Sequence, residues 1–123
     1  MDAAKNQIEK LILDFYLKGH ELSEGELYRN ILHPEWKMYW LNQNDQVENT
    51  DKETYISWYK PENRNERLQW NAEIIHLDIE GSLAIVKVRI YNQDFGSINY
   101  FSLMKEKGKW QIVSKISKSL DKR

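Results

Sequence analysis

Between Leu68 and Ile116 apolar side chains return at every second position, broken only by short turn sequences. That period of two is the signature of strands with one buried face. Leu68, Trp70, Ala72 and Ile74 carry the first apolar face, after which the phase slips by one to Ile75, Leu77 and Ile79. A β-bulge produces such a slip and bends the strand. Glu80-Gly81-Ser82 reads as a tight turn into a partner strand with Ala84, Val86, Val88 and Ile90 on one side. A further long strand is predicted from Phe95 to Lys105. Lys107-Gly108 makes the last hairpin turn, and Trp110, Ile112, Ser114 and Ile116 alternate in the final strand. The polar tail 118–123 is expected to fray.

The first half has a different period. Ala4, Ile8, Leu11, Ile12, Phe15 and Tyr16 recur at intervals of three and four, giving a helix with one apolar stripe that Gly19 should stop. Ser23 and Glu26 form a capping-box pattern flanked by Leu22 and Leu27, which predicts a second, short helix ending at Pro34. A strand from Glu35 to Leu41 then turns through residues 42–45 into a short return strand. Thr50 and Glu53 open a third helix bearing Tyr55, Ile56, Trp58 and Tyr59, closed by Pro61. The 123 residues suffice for one domain, with a core over about 5–117. Helices followed by a meander of long strands read as α+β. Three N-terminal helices should pack on one face of a strongly curved, mixed or antiparallel sheet and make a half-open cone, whose mouth is a natural place for a small-molecule site.

Composition excludes several classes of function. Eighteen basic and nineteen acidic residues leave a net charge of −1, against a broad footprint for nucleic acid or anionic lipid. No apolar run is long enough to span a bilayer, and Met1-Asp2-Ala3-Ala4-Lys5 leads into an amphipathic pattern rather than a signal sequence, so the protein is expected in the cytoplasm. The absence of cysteine removes disulfides, thiolate nucleophiles and cysteine-based zinc sites. Three scattered histidines give no metal spacing and no glycine-rich loop cradles a phosphate, so neither metal nor cofactor is expected.

Several segments carry a family resemblance: Phe15-Tyr16-Leu17-Lys18-Gly19-His20, Leu32-His33-Pro34, Ile79 to Val86, Asn99 to Lys105 and Gly108 to Lys115. With them the chain resembles nuclear-transport-factor-2-like domains, and more narrowly the bacterial family labelled "putative lumazine-binding". The resemblance implies a cone with an interior cavity and frequent homodimers. It also implies relatives that include isomerases, dehydratases and epoxide hydrolases beside proteins without catalytic activity. Members commonly carry an acid just before the aromatic of the third long strand, where this chain has Asn99. An amide cannot act as a base there.

The bias toward aromatics, five Trp, seven Tyr and three Phe, is the most informative compositional feature. Trp36, Met38 and Trp40 on one strand face, Trp70 on the next long strand and Tyr55, Trp58 and Tyr59 on the third helix are the candidate ligand-binding set. They would suit a flat or apolar ligand. Read individually, most are better explained as core filling; as a set they make a lined pocket and a filled core equally good readings. Tyr16, on the stripe of the first helix, could place its hydroxyl in the cone, and His33 stands at a predicted helix end where an imidazole could point inward or simply cap the helix. His20 is expected in an exposed loop and His76 on the surface. Arg64, Arg67, Lys105, Lys107, Lys109 and Lys115 read as solvated faces. Three functions are compatible with this pattern: a small-molecule binder, a cofactor-free isomerase or dehydratase using His33 and Tyr16 as acid and base with Asn99 as a donor, or an interaction module. The last would dimerise through a convex sheet face bearing Tyr91, Phe101 and Val113.

Overall fold

The computed structural model describes residues 3–120. Met1 and Asp2, at the start of the N-terminal pattern, and residues 121–123 of the predicted frayed tail lie outside them. The chain opens with α1 (Ala3–Lys10), a π-helical turn (Leu11–Tyr16) and α2 (Leu17–Leu22). They form one unbroken run, because Lys10 and Leu17 at the junctions both keep right-handed helical dihedrals. Gly19 does not stop this run. Its missing Cβ is used sideways: the Tyr28 ring occupies the space a side chain would fill. The stop comes at Ser23, in the left-handed region at φ 51°. Ser23 therefore closes one helix instead of capping the next, and α3 (Glu26–Arg29) begins at Gly25 with no side-chain cap.

β1 (Leu32–Leu41) starts earlier than the sequence pattern predicts, so His33 and Pro34 are strand residues and not a helix end. The proline, which has no N–H to give a ladder, falls where the pairing of β1 is interrupted between Leu32 and Lys37. β2 (Val47–Asp51) comes next, and α4 (Lys52–Ser57) is capped by Asp51, whose carboxylate accepts the Thr54 N–H at 2.9 Å. Thr50 is unavailable for capping because it is buried in β2 opposite Met38. The meander comprises β3 (Asn71–Glu80), β4 (Leu83–Tyr91), β5 (Gly96–Glu106) and β6 (Lys109–Ser119). Residues 118 and 119 thus belong to a strand, and the Leu120 N–H bonds the Gly96 carbonyl at 2.8 Å.

The six strands form one mixed sheet in the order β2-β1-β6-β5-β4-β3, open at both edges. β1 and β6 run parallel; every other pair is antiparallel. Ile8, Ile12 and Tyr16 from the opening helix meet Val86, Val88, Phe101, Leu103 and Ile112 from the sheet in a continuous buried core. No helix among the described residues is long and apolar enough to cross a membrane.

Two bulges shape the inner face. In β3, Ile74 pairs with Val88 and His76 with Lys87, which leaves Ile75 as the extra, exposed residue while Leu77 and Ile79 return to the core side. In β6, Ser114 pairs with Ser102 but Ile112 with Leu103, so Val113 is extra. Each extra residue reverses the in–out phase of the strand beyond it. Past Val113 the alternation predicted for Trp110, Ile112, Ser114 and Ile116 therefore fails. Lys115 is buried at 4% exposure and Ile116 is exposed at 57%. Phe101, expected on the outer face, is fully buried because its partner across the ladder is the inward Val86; Tyr100 takes the outer position instead.

A methyl group at residue 19 would have to displace the Tyr28 ring. Gly19→Ala is expected to lower stability by about 1–3 kcal/mol, the usual cost of overpacking. Chemical denaturation with an unchanged m-value would check it; an unaffected midpoint would mean that the ring moves aside freely.

Candidate functional site

A cavity of about 380 Å³ opens at the end of the cone where β5 and β6 meet the helices. Its walls are Met38, Trp58, Tyr59, Trp70, Ile90 and Phe95; Gly96, Ser97, Ser117 and Ser119 stand around it on the strands, and His20, Tyr55 and Lys115 complete its lining. No carboxylate lines it. Apolar walls with a few converging polar groups are what a small-molecule site requires.

The polar group is unusual. Lys115 reaches inward from β6, and its Nζ donates to the Tyr16 hydroxyl at 2.6 Å and more loosely to Tyr55 at 3.4 Å. The Tyr16 and Tyr55 hydroxyls are hydrogen-bonded at 2.6 Å, and Tyr59 donates to Tyr55 at 3.3 Å. The ammonium also lies 5.1 Å and 5.3 Å from the ring centroids of Tyr16 and Tyr55, within cation–π range. Among the described residues it pairs with no carboxylate. Desolvation without a counter-charge lowers the Lys115 pKa to about 7. Burial likewise holds the Tyr16 and Tyr55 hydroxyls well above their ordinary range, so both stay neutral.

His20 braces this group from α2. The Tyr28 hydroxyl bonds its Nδ1, and its ring sits between those of Tyr16, Tyr59 and Trp70 at centroid distances of 5.1, 5.2 and 5.1 Å. Desolvation by these rings, with the nearby Lys115 charge adding to it, takes the imidazole down to about 3. His20 is therefore neutral and packed, where the sequence pattern predicts an exposed loop.

The predicted site residues separate into groups. Met38, Tyr55, Trp58, Tyr59 and Trp70 line the cavity, and Tyr16 lies behind it against Lys115. Trp36 is a core residue, 4.8 Å from the Tyr55 ring, and helps to fix that ring. Trp40 packs on the edge of the core and faces a separate groove with Leu41 and Val47. Asn99 is fully buried and donates to Ser97 Oγ at 2.9 Å, and its Oδ1 has no partner. His33 lies apart from all of them. Its Nε2 contacts Glu106 at 3.2 Å and its Nδ1 accepts the Glu35 N–H at 3.0 Å. The structure therefore does not bring His33 and Tyr16 together, because His33 sits at the start of β1 rather than on a helix end facing the cone.

The residue that sequence reasoning missed is Lys115. Its inward position depends on the Val113 bulge, and no apolar pattern marks a bulge when the side chain after it is polar. His20 did carry a signal: it stands four residues after Tyr16, on the same helix face.

The open mixed sheet, the helices against one face and the aromatic cavity define a nuclear-transport-factor-2-like cone. Within that class, residues 3–117 match the family described as "Putative lumazine-binding", and the chain belongs to that family. Among solved structures it is similar to a nuclear-transport-factor-2-like protein of unknown function from Shewanella baltica. Identity is 17% over 97% of this chain and 95% of that one, with a TM-score of 0.84. A second such protein, from Methylobacillus flagellatus, is 22% identical over 96% and 93% of the two chains, with a TM-score of 0.79. A domain of unknown function with a cystatin-like fold from Nostoc punctiforme matches at 11% identity over 95% and 77%, with a TM-score of 0.74. At these identities the likeness is one of fold. No curated protein matches the chain.

Burial of Lys115 has a thermodynamic signature. Its pKa is about 7 when folded and near the ordinary lysine value when unfolded, so between these values the unfolded chain binds the extra proton and stability rises with pH. From pH 7 to pH 9 the folding equilibrium constant of the native protein is expected to gain on that of Lys115→Met by up to roughly tenfold per pH unit. Parallel pH profiles in urea titrations would show that the amine is not desolvated.

Proposed function

We propose that the protein binds a small, flat, largely apolar molecule in the aromatic cavity at the mouth of the cone. The observation that carries this reading is the cavity itself: about 380 Å³ of space beside Trp58, Tyr59, Trp70 and Phe95, with polar groups on one side. Aromatic faces give large contact area and favour stacking on planar ligands. Trp58 and Phe95 are each about half exposed, at 48% and 47%, although large rings in a finished core are normally covered. A ligand between them would complete that burial. A soluble protein of the cytoplasm is the setting this reading assumes.

A thermal-shift screen of planar heterocycles tests it. A ligand at 100 times its Kd should add about 2.7 kcal/mol to stability, and Trp70→Ala should weaken the hit by roughly tenfold or more, in keeping with truncation of a central aromatic anchor. Failure of a broad planar library to shift the melting temperature would sink the proposal.

We also propose that two copies associate through the outer face of the sheet. Leu83, Ile85, Tyr100, Met104 and Ile116 are all at least 45% exposed there. They come from adjacent strands: Leu83 pairs with Met104, and Tyr100 with Ile116. A contiguous exposed apolar surface of this kind marks an interaction site, and a two-fold pair is the commonest way to cover it. Light scattering is expected to give twice the chain mass, and Ile85→Glu to reduce it to one. A monomer at high concentration would end this proposal.

A further inference from the structure

The polar group behind the cavity has more hydrogens to give than atoms to receive them. With Lys115 protonated, it and the phenols of Tyr16, Tyr55 and Tyr59 carry six polar hydrogens, while only four hydrogen bonds are made among them. Two of those four, Tyr59 to Tyr55 and Lys115 to Tyr55, are long at 3.3 and 3.4 Å. No carboxylate or backbone carbonyl accepts from the Lys115 amine or from any of the three phenols among the described residues. A buried positive charge with spare donors and no counter-ion is costly unless something negative arrives to meet it.

We infer that the cavity takes an anionic ligand, a planar aromatic carboxylate, whose ring system stacks on the aromatic walls and whose carboxylate oxygen is received by Lys115 Nζ. The inference rests on the binding reading above and adds the charge of the ligand. Lys115 lines the cavity, whereas Tyr16 holds its amine from behind. A carboxylate there accepts the Lys115 hydrogen that lacks a partner and neutralises the ammonium, both in a setting of low dielectric where charge-assisted bonds are strong.

Proton uptake is a consequence. The free amine has a pKa of about 7, and an anion beside it favours the charged form, so binding draws in a proton at and above that pH. The other titratable groups facing it are Tyr16 from the π-helical turn, His20 from α2, Tyr55 from α4 and Tyr59 just beyond it. Burial holds the phenols above their ordinary range and takes the imidazole down to about 3, so none of them changes charge between pH 6 and pH 9. The strand neighbours Met38 and Phe101, opposite Lys115 in β1 and β5, do not titrate.

The test compares 2-naphthoate with its neutral isostere 2-naphthamide, titrated into the intact protein between pH 6 and pH 9 by calorimetry. At pH 6.5 the acid anion should bind at least about tenfold more tightly than the amide. Its affinity should fall above pH 7 with a slope approaching tenfold per pH unit, while that of the amide stays level. Lys115→Met should abolish the preference of anion over amide and the pH dependence with it; the pH profile of the unaltered protein gives the same answer should that variant not fold. Equal binding of anion and amide, or a preference indifferent to both pH and Lys115→Met, would overturn the anionic assignment and leave the planar-ligand reading standing. Binding of neither probe would overturn the anionic assignment, while the planar-ligand reading is decided by the wider thermal-shift screen.

Discussion

Everything distinctive about this cone depends on one extra residue in its last strand. Without Val113 out of register, β6 would keep the phase set by Trp110 and Ile112, Ile116 would fill the interior and Lys115 would lie in solvent. The bulge exchanges them. It puts a primary amine where a methylene-rich side chain belongs, and it does so on a strand whose two neighbours, β1 and β5, fix it on both sides. An edge strand could relax such a misfit by peeling away. A strand in the middle of the sheet cannot, so the amine stays where the ladder puts it.

The surroundings make that placement tolerable without neutralising it. Tyr16, Tyr55 and Tyr59 solvate the amine with hydroxyls and ring faces, and Tyr28 and Trp36 hold those rings in turn. Close approach of Tyr28 depends on Gly19, so the absence of one side chain in α2 lets a whole ring into the second layer. None of these partners is charged. An aspartate in the same place would have formed a closed ion pair with nothing left over. Phenols leave the lysine soft in its protonation and still in need of a stronger acceptor. A buried amine without a counter-charge costs local stability.

The architecture was legible in the sequence to a large degree, and for definite reasons. The turns at Gly81 and Gly108 and the phase slip at Ile74–Ile75 could be read because apolar residues lie on both sides of each. Capping signals were less dependable. Ser23 and Thr50 both matched a capping pattern, yet tertiary placement gave one a left-handed stop and the other a buried strand position, with Asp51 taking the cap. His33-Pro34 looked like the end of a helix because proline is read as a terminator; it also fits an interruption in a ladder. The aromatic wall could be anticipated as a set, though Trp36 proved to be core and Trp40 faces elsewhere. Lys115 could not be found this way, since a polar residue after a bulge looks the same as a polar residue on a solvated face.

The parallel pairing of β1 with β6 also governs when the interior comes into being. Met38 and Lys115 are neighbours in space, but well over half the chain separates them. Contacts of such long range form late and slowly, since the connecting segment must first surrender its freedom. The phenols are all encoded early and the amine arrives with the final strand. During vectorial synthesis the cavity is therefore completed only once β6 has emerged, since Lys115, Ser117 and Ser119 of that strand line it.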